Sequence, residues 1–298
     1  MKTFFSSCRR LSSRAFSLVE ILVAMALLSF IVLGLLTMFN QTQRAFRRSL
    51  AETDILEGSR GIIDMVVRDL QEVAPANRPA VANNRESYNF FTEISTNGVV
   101  QDLPGTIATR VNVLQRFFFL TRNNQDFVGI GYKVQPDAAN SGVGTLYRWS
   151  AYHAPRLGPL TLSQAFTAAP IQSFNRIADG VVHLRLTTYA TNGCILSSTP
   201  MAPACFAVDN VGTNAPYARA RNTAINDGPL GQEGSYFVSN AVPAFVELEI
   251  GVLESDVLKR WRGMSPVAGA NYLSNHVAQV HIFRQRIPIR NADYSAYQ

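Results

Sequence analysis

Glu20 is the residue whose chemistry most needs a reason. It sits in the run FSLVEILVAMALLSF (16–30), and no further charge follows until Arg44. An ionised carboxylate in hydrocarbon costs about 2.5–3.5 kcal/mol on insertion scales, so such a residue comes with a partner or a purpose. A positive charge close by would neutralise it. Its position in the first turn of a helix would also suit the helix dipole.

The other residues capable of chemistry read as structural. His183 alternates with apolar residues in a strand-like stretch, and His276 and His281, five apart, would face opposite sides of an extended segment. With His153 they read as polar strand positions rather than metal ligands. Glu247 and Glu249 share one face of a predicted strand, and an exposed sheet edge accounts for them better than a catalytic carboxylate pair. The stretch INDGP (225–229) has too few acids for calcium and reads as a turn. Trp149 and Trp261 read as core residues before partner-contact anchors. The sequence has no G-x-S-x-G elbow, H-E-x-x-H or P-loop. The expectation is therefore a protein that is not an enzyme, with no catalytic residue, no metal and no cofactor.

The elements that must position Glu20 begin with the charge distribution. Of the formal net charge of +6, Lys2, Arg9, Arg10 and Arg14 supply four before residue 16; beyond it, 23 basic residues face 21 acidic ones. The scattered remainder makes no phosphate-binding surface, so nucleic acid is not an expected partner. Ile21 to Phe39 is apolar except for Ser29, Gly34 and Thr37, long enough for one membrane-spanning helix. The basic flank places the N-terminus in the cytoplasm and everything after Arg44 outside. A secretory signal peptide would explain the charge and the apolar run. It would not explain Glu20, and LTMFNQTQ (36–43) offers no A-x-A cleavage site. Cys8, Cys194 and Cys205 form no C-x-x-C pair. In an exported chain Cys194 and Cys205 are a candidate disulfide, with two free thiols the equal alternative.

A short basic leader, a small residue, Phe, and Glu at the fifth position of an apolar helix together resemble the type IV prepilin class. Ala15 matches its last leader residue, where glycine is commonest, and Phe16 its first mature residue. The resemblance implies cleavage between Ala15 and Phe16 by a prepilin peptidase and N-methylation of Phe16. It also implies assembly with other pilin-like or pseudopilin subunits through helices bundled into a filament core. Glu20 would there pair with the positive N-terminus of a neighbouring subunit. Localisation would be the bacterial inner membrane, single-pass and in contact with its lipid, with the head periplasmic or in an extracytoplasmic filament.

Beyond the span the helical pattern continues. Ile55, Ile62, Val66, Leu70 and Val73 make an apolar stripe, and Arg60, Asp64, Arg68, Asp69 and Glu72 lie on the other face. Pro75 and Pro79 end it. The pattern predicts a helix over 16–74, about 85 Å long at the usual rise, with 17–43 in the membrane and Gly58 or Gly61 as candidate bends. From residue 86 the period changes to two. Strands are predicted at 87–95, 110–122, 126–134, 144–152, 180–190, 242–253 and 276–289. Residues 191–240 read as a loop insertion, either packed on the sheet or partly disordered. The fold class is α+β: a leader at 1–15, the long N-terminal hydrophobic helix, and a head over 75–298 whose antiparallel β-sheet that helix covers.

Four segments resemble, in order, the J-type minor pseudopilin of type II secretion: IIDMVVRDLQEV with Asp69, GTLYRWS, IADGVVHLRLTTY and VPAFVELEIGV. The last of these, extended to VPAFVELEIGVLESDVLKRW, and the IFRQRIPIRNADYS ending resemble more narrowly the Verru_Chthon cassette protein C family of prepilin-like proteins. The resemblance implies a minor subunit of a type II secretion or type IV pilus-like filament, near its tip. The alternative is a pilin-anchored adhesive or ligand-binding surface protein, with 191–240 as the contact surface. An enzyme on a plain signal anchor is the third reading, and no residue set supports it.

Overall fold

Three- and four-residue apolar steps, uninterrupted by proline, put one helix, α1, over Leu18–Gln71. It runs through Gly58 and Gly61 without a break, so they do not divide it into two helices. Its last turn tightens as the Glu72 and Val73 amides reach the Asp69 and Leu70 carbonyls, and Pro75 follows. The computed structural model describes residues 17–76, 88–103, 109–124, 126–137, 142–153, 161–190, 193, 195, 217–220, 223–227, 233–238, 240–276 and 279–292. The chain divides into two units, Met1–Thr53 and Asp54–Gln298.

The second unit is built on a ten-stranded sheet. Its strands are β1 (Tyr88–Asp102), β2 (Thr109–Asn123), β3 (Asp126–Pro136), β4 (Gly144–His153), β5 (Asn175–Tyr189), β6 (Tyr217–Ala220), β7 (Thr223–Asp227), β8 (Glu233–Val238), β9 (Phe245–Leu253) and β10 (Val280–Pro288). Their order across the sheet is β10-β9-β5-β4-β3-β2-β1-β8-β7-β6. Pairing is antiparallel except for one parallel bridge between Leu114 of β2 and Leu184 of β5. Side chains close that seam where the ladder does not: the Leu186 amide donates to Gln115 Oε1 at 2.6 Å, and the Val113 amide to His183 Nδ1 at 3.2 Å. Three short helices complete the unit: α2 (Leu162–Ala168), α3 (Ser255–Arg262) and α4 (Pro266–Asn275).

The core explains the FFFL run of β2. Phe117 and Phe119 pack with Val66 and Leu70 of α1 and with Val73 just beyond it, and Phe118 and Leu120 pack on the opposite face with Trp149 and with Phe166 of α2. A strand buried on both faces reads as a continuous apolar run. The glycines of β3 make room for α2: a Cβ at Gly131 would stand 2.3 Å from the Phe166 ring. Trp149 is a core residue, as expected. Val246, Leu248, Ile250 and Val252 all face the core, as the alternation of β9 predicts.

The differences from the sequence reading have physical reasons. Residues 191–240 are not one loop insertion: they carry β6, β7 and β8, and β8 pairs with β1 to continue the sheet. The expected strand at 276–289 begins only at Val280, because His276 is the C-cap of α4. The signals for α3 and α4 were present: Asp256 in a first turn, Lys259, Arg260 and Arg262 in a last turn, and Pro266 at a helix start. The segment after β10 is tied back to the residues that follow α1, where Asn291 Nδ2 donates to the Val73 carbonyl at 2.8 Å.

Asp69 departs most from expectation. Placed by pattern on the polar face of α1, it is instead 7% exposed. Its Oδ2 accepts from the Tyr132 hydroxyl at 2.6 Å and from Arg148 Nε at 2.7 Å. Burial, then the Asp69 charge, pushes the Tyr132 phenol up, so it stays a donor. Removing the carboxylate leaves a half-buried guanidinium and a buried hydroxyl unpaired. Asp69→Ala is therefore expected to cost roughly 2–4 kcal/mol, read as a lower midpoint in a urea titration followed by tryptophan fluorescence. Asp69→Asn, which keeps an acceptor, is expected to lose less.

Candidate functional site

The first unit holds the segment that the sequence singles out. Leu18–Arg47 is long and apolar enough to cross a membrane, and none of it is buried within the protein. Its hydroxyl side chains bond to their own helix: Ser29 Oγ to the Met25 carbonyl, Thr37 Oγ1 to that of Gly34, and Thr42 Oγ1 to that of Met38, at 2.8–2.9 Å. Nothing along the run then offers hydrocarbon an unmet hydroxyl donor.

Glu20 lies exposed in the first turn. Its amide donates to Ser17 Oγ at 3.2 Å. Ser17 is thus an N-cap, and Ser17-x-x-Glu20 is the spacing of a capping box. The S-x-x-E spacing was legible at residues 17–20, and the bond that forms is the one from the Glu20 amide to Ser17. Side chains on a helix lean toward its N-terminus, so the carboxylate is carried toward the end of the span and out of its middle. Ala15, Phe16, Cys194 and Cys205 lie outside the described residues, so the cleavage site and the candidate disulfide have no geometry here.

In the second unit the polar residues serve the fold. Glu247 and Glu249 do not lie on an exposed edge, because β9 is enclosed between β5 and β10. Arg284 bonds both carboxylates, the Tyr189 hydroxyl donates to Glu247 at 2.7 Å, and His183 Nε2 lies 3.3 Å from Glu249. Since His183 Nδ1 accepts an amide, its proton belongs on Nε2, facing Glu249. His281 meets Glu254, and His276 Nδ1 reaches the Tyr272 carbonyl. A second cluster joins Asp179 to Arg176, Thr145 and Arg262. Among the described residues no group of three or more His, Cys, Asp or Glu could hold a metal ion.

With the cluster chemistry assigned to folding, the exposed helix and its glutamate remain as the site. Residues 10–36 match the family model of the prokaryotic N-terminal methylation motif. The match supports a type IV prepilin-like protein. The motif implies processing by a prepilin peptidase and assembly with other pilin subunits, and with the apolar helix it fits a single-pass inner-membrane anchor. It points to a structural, pilin-like protein. No curated protein and no solved structure matches the chain.

The β9 cluster makes stability depend on pH. The His183 N–H, opposed by partial burial and aided by Arg284, holds the Glu249 carboxyl below its ordinary 4.5. The folded chain binds that proton less readily than the unfolded one, so the stabilisation is present above about pH 4.5 and is lost as the pH falls below it. Unfolding midpoints measured from pH 7 to pH 3 are expected to drop through that window. Glu249→Gln is expected to flatten the drop.

Proposed function

We propose that the chain is a prepilin-peptidase-processed minor pseudopilin or pilin-like subunit of a type II secretion or type IV pilus-like filament, placed near its tip. The observation that carries the reading is the methylation-motif match over residues 10–36. The leader is 1–15, and the peptidase cuts between Ala15 and Phe16 on the cytoplasmic side. Phe16 is then N-methylated, 17–43 anchors the subunit in the inner membrane, and the head over 75–298 lies on the periplasmic side. The length of the chain and the four J-type segments in order support the minor-subunit role.

In this mechanism the Glu20 carboxylate does two things in succession. In the membrane it sits at the start of the span, beside the Ser17 cap. During assembly it meets the positive N-terminus of a neighbouring subunit, and the pairing offsets the desolvation that would otherwise oppose entry into an apolar core. Packing of apolar helices then stabilises the filament. Neither step needs a catalytic residue or a cofactor from this chain.

N-terminal mass spectrometry of the protein from its native membrane is expected to find a chain beginning at N-methylated Phe16. An intact Met1, or cleavage beyond Phe39, would sink the proposal. Glu20→Gln tests the charge alone, because glutamine keeps the amide that Ser17 caps but carries no charge. That variant is expected to insert and be cut like the wild type, yet to cross-link to neighbouring subunits at least about tenfold less, which is a loss of 1.4 kcal/mol or more.

A further inference from the structure

We propose that Arg44 and Arg47 clamp phospholipid phosphate groups at the end of the membrane span remote from Glu20. The inference rests on reading Leu18–Phe39 as crossing the bilayer. The two residues stand three apart on α1, so their side chains are neighbours on one face. Both are exposed, and among the described residues neither has a hydrogen-bond or ion-pair partner. Several arginines of the second unit are used differently: Arg116 meets Glu93, Arg148 meets Asp69, and Arg262 meets Asp137. Before Arg44 the helix offers only Asn40, Gln41, Thr42 and Gln43. The first acid after it is Glu52, five residues beyond Arg47 and out of step with helical ion pairing to either arginine.

Depth identifies the ligand. Leu18–Phe39 is about 33 Å long at 1.5 Å per residue, close to a hydrocarbon core of about 30 Å. The headgroup layer adds about 5–7 Å on each side, and Arg44 follows Phe39 by five residues, or roughly 7 Å. Helical side chains lean toward the N-terminus, so at this end of the span they lean back toward the membrane. Two long guanidinium stems therefore reach the phosphate layer from just outside it. Phe46, exposed between them, makes the turn amphipathic, as interfacial segments are. The planar guanidinium fork matches phosphate oxygens two at a time. If the leader is cut after Ala15, Lys2, Arg9, Arg10 and Arg14 leave with it, and the basic side chains flanking the mature span all lie at this end.

The test compares the full chain with an R44Q/R47Q variant, each reconstituted into phosphatidylglycerol nanodiscs and then released for native mass spectrometry. The wild type is expected to retain phosphatidylglycerol. The double variant is expected to retain on the order of fivefold less or lower still, given the usual worth of basic residues at anionic membranes. An R60Q/R68Q control is expected to match the wild type. In discs of a phosphate-free glycolipid, both the wild type and R44Q/R47Q are expected to retain little and equally. Equal phosphatidylglycerol retention by the two proteins, or undiminished glycolipid retention by the wild type, overturns the clamp. Alkaline carbonate extraction separates this from the spanning reading. Wild-type protein that is extracted from vesicles overturns the span and the clamp together, whereas inserted proteins with equal retention overturn the clamp alone.

Discussion

A buried carboxylate at the end of a helix organises the second unit. Asp69 is buried, so its charge is tolerable only where Tyr132 and Arg148 both reach it. Those partners come from adjacent strands, β3 and β4. The triad therefore fixes where the last turns of α1 lie along the sheet, and with them Val66, Leu70 and Val73 against Phe117 and Phe119. Apolar burial supplies most of the stability of such a layer, but it is non-directional. The ion pair adds direction, because a helix displaced by one turn would bury an unpaired charge.

Much of this was legible in the sequence, for identifiable reasons. β2, β3, β4 and β9 announce themselves by alternation or by an apolar run between turn signals, and α1 by its stripe. The N-terminal motif could be read because its function depends on adjacent residues. The three strands within 191–240 could not be read the same way: they are only four to six residues long and add one after another outward from the edge of β1. The environment of Asp69 was hidden because a helical wheel orients a residue without knowing what stands opposite. Tyr132 and Arg148 lie more than sixty residues away in the chain. Glu247 and Glu249 were misplaced for the same reason, since an edge strand and an enclosed strand with charged neighbours share one pattern.

Ser17 and Glu20 set a constraint on the first unit. A cap bond to the Glu20 amide stabilises the first turn whatever the carboxylate does. The side chain is thereby released from holding the helix and can exchange partners. An assembly step that had to unwind the helix start would be slower and costlier than one that only re-pairs a charge. The hydroxyls of Ser29, Thr37 and Thr42, turned onto their own carbonyls, leave the rest of the span without competing polar contacts.

The bond from Asn291 to the Val73 carbonyl has a consequence in time. Among the last residues described, one completes a contact with the end of the first helix, and the strand just before it, β10, covers one side of β9. As the chain is made from its N-terminus, α1 can form long before β8 and β9 exist to pair with β1 and β5. The order of synthesis thus orders the fold: helix first, sheet last.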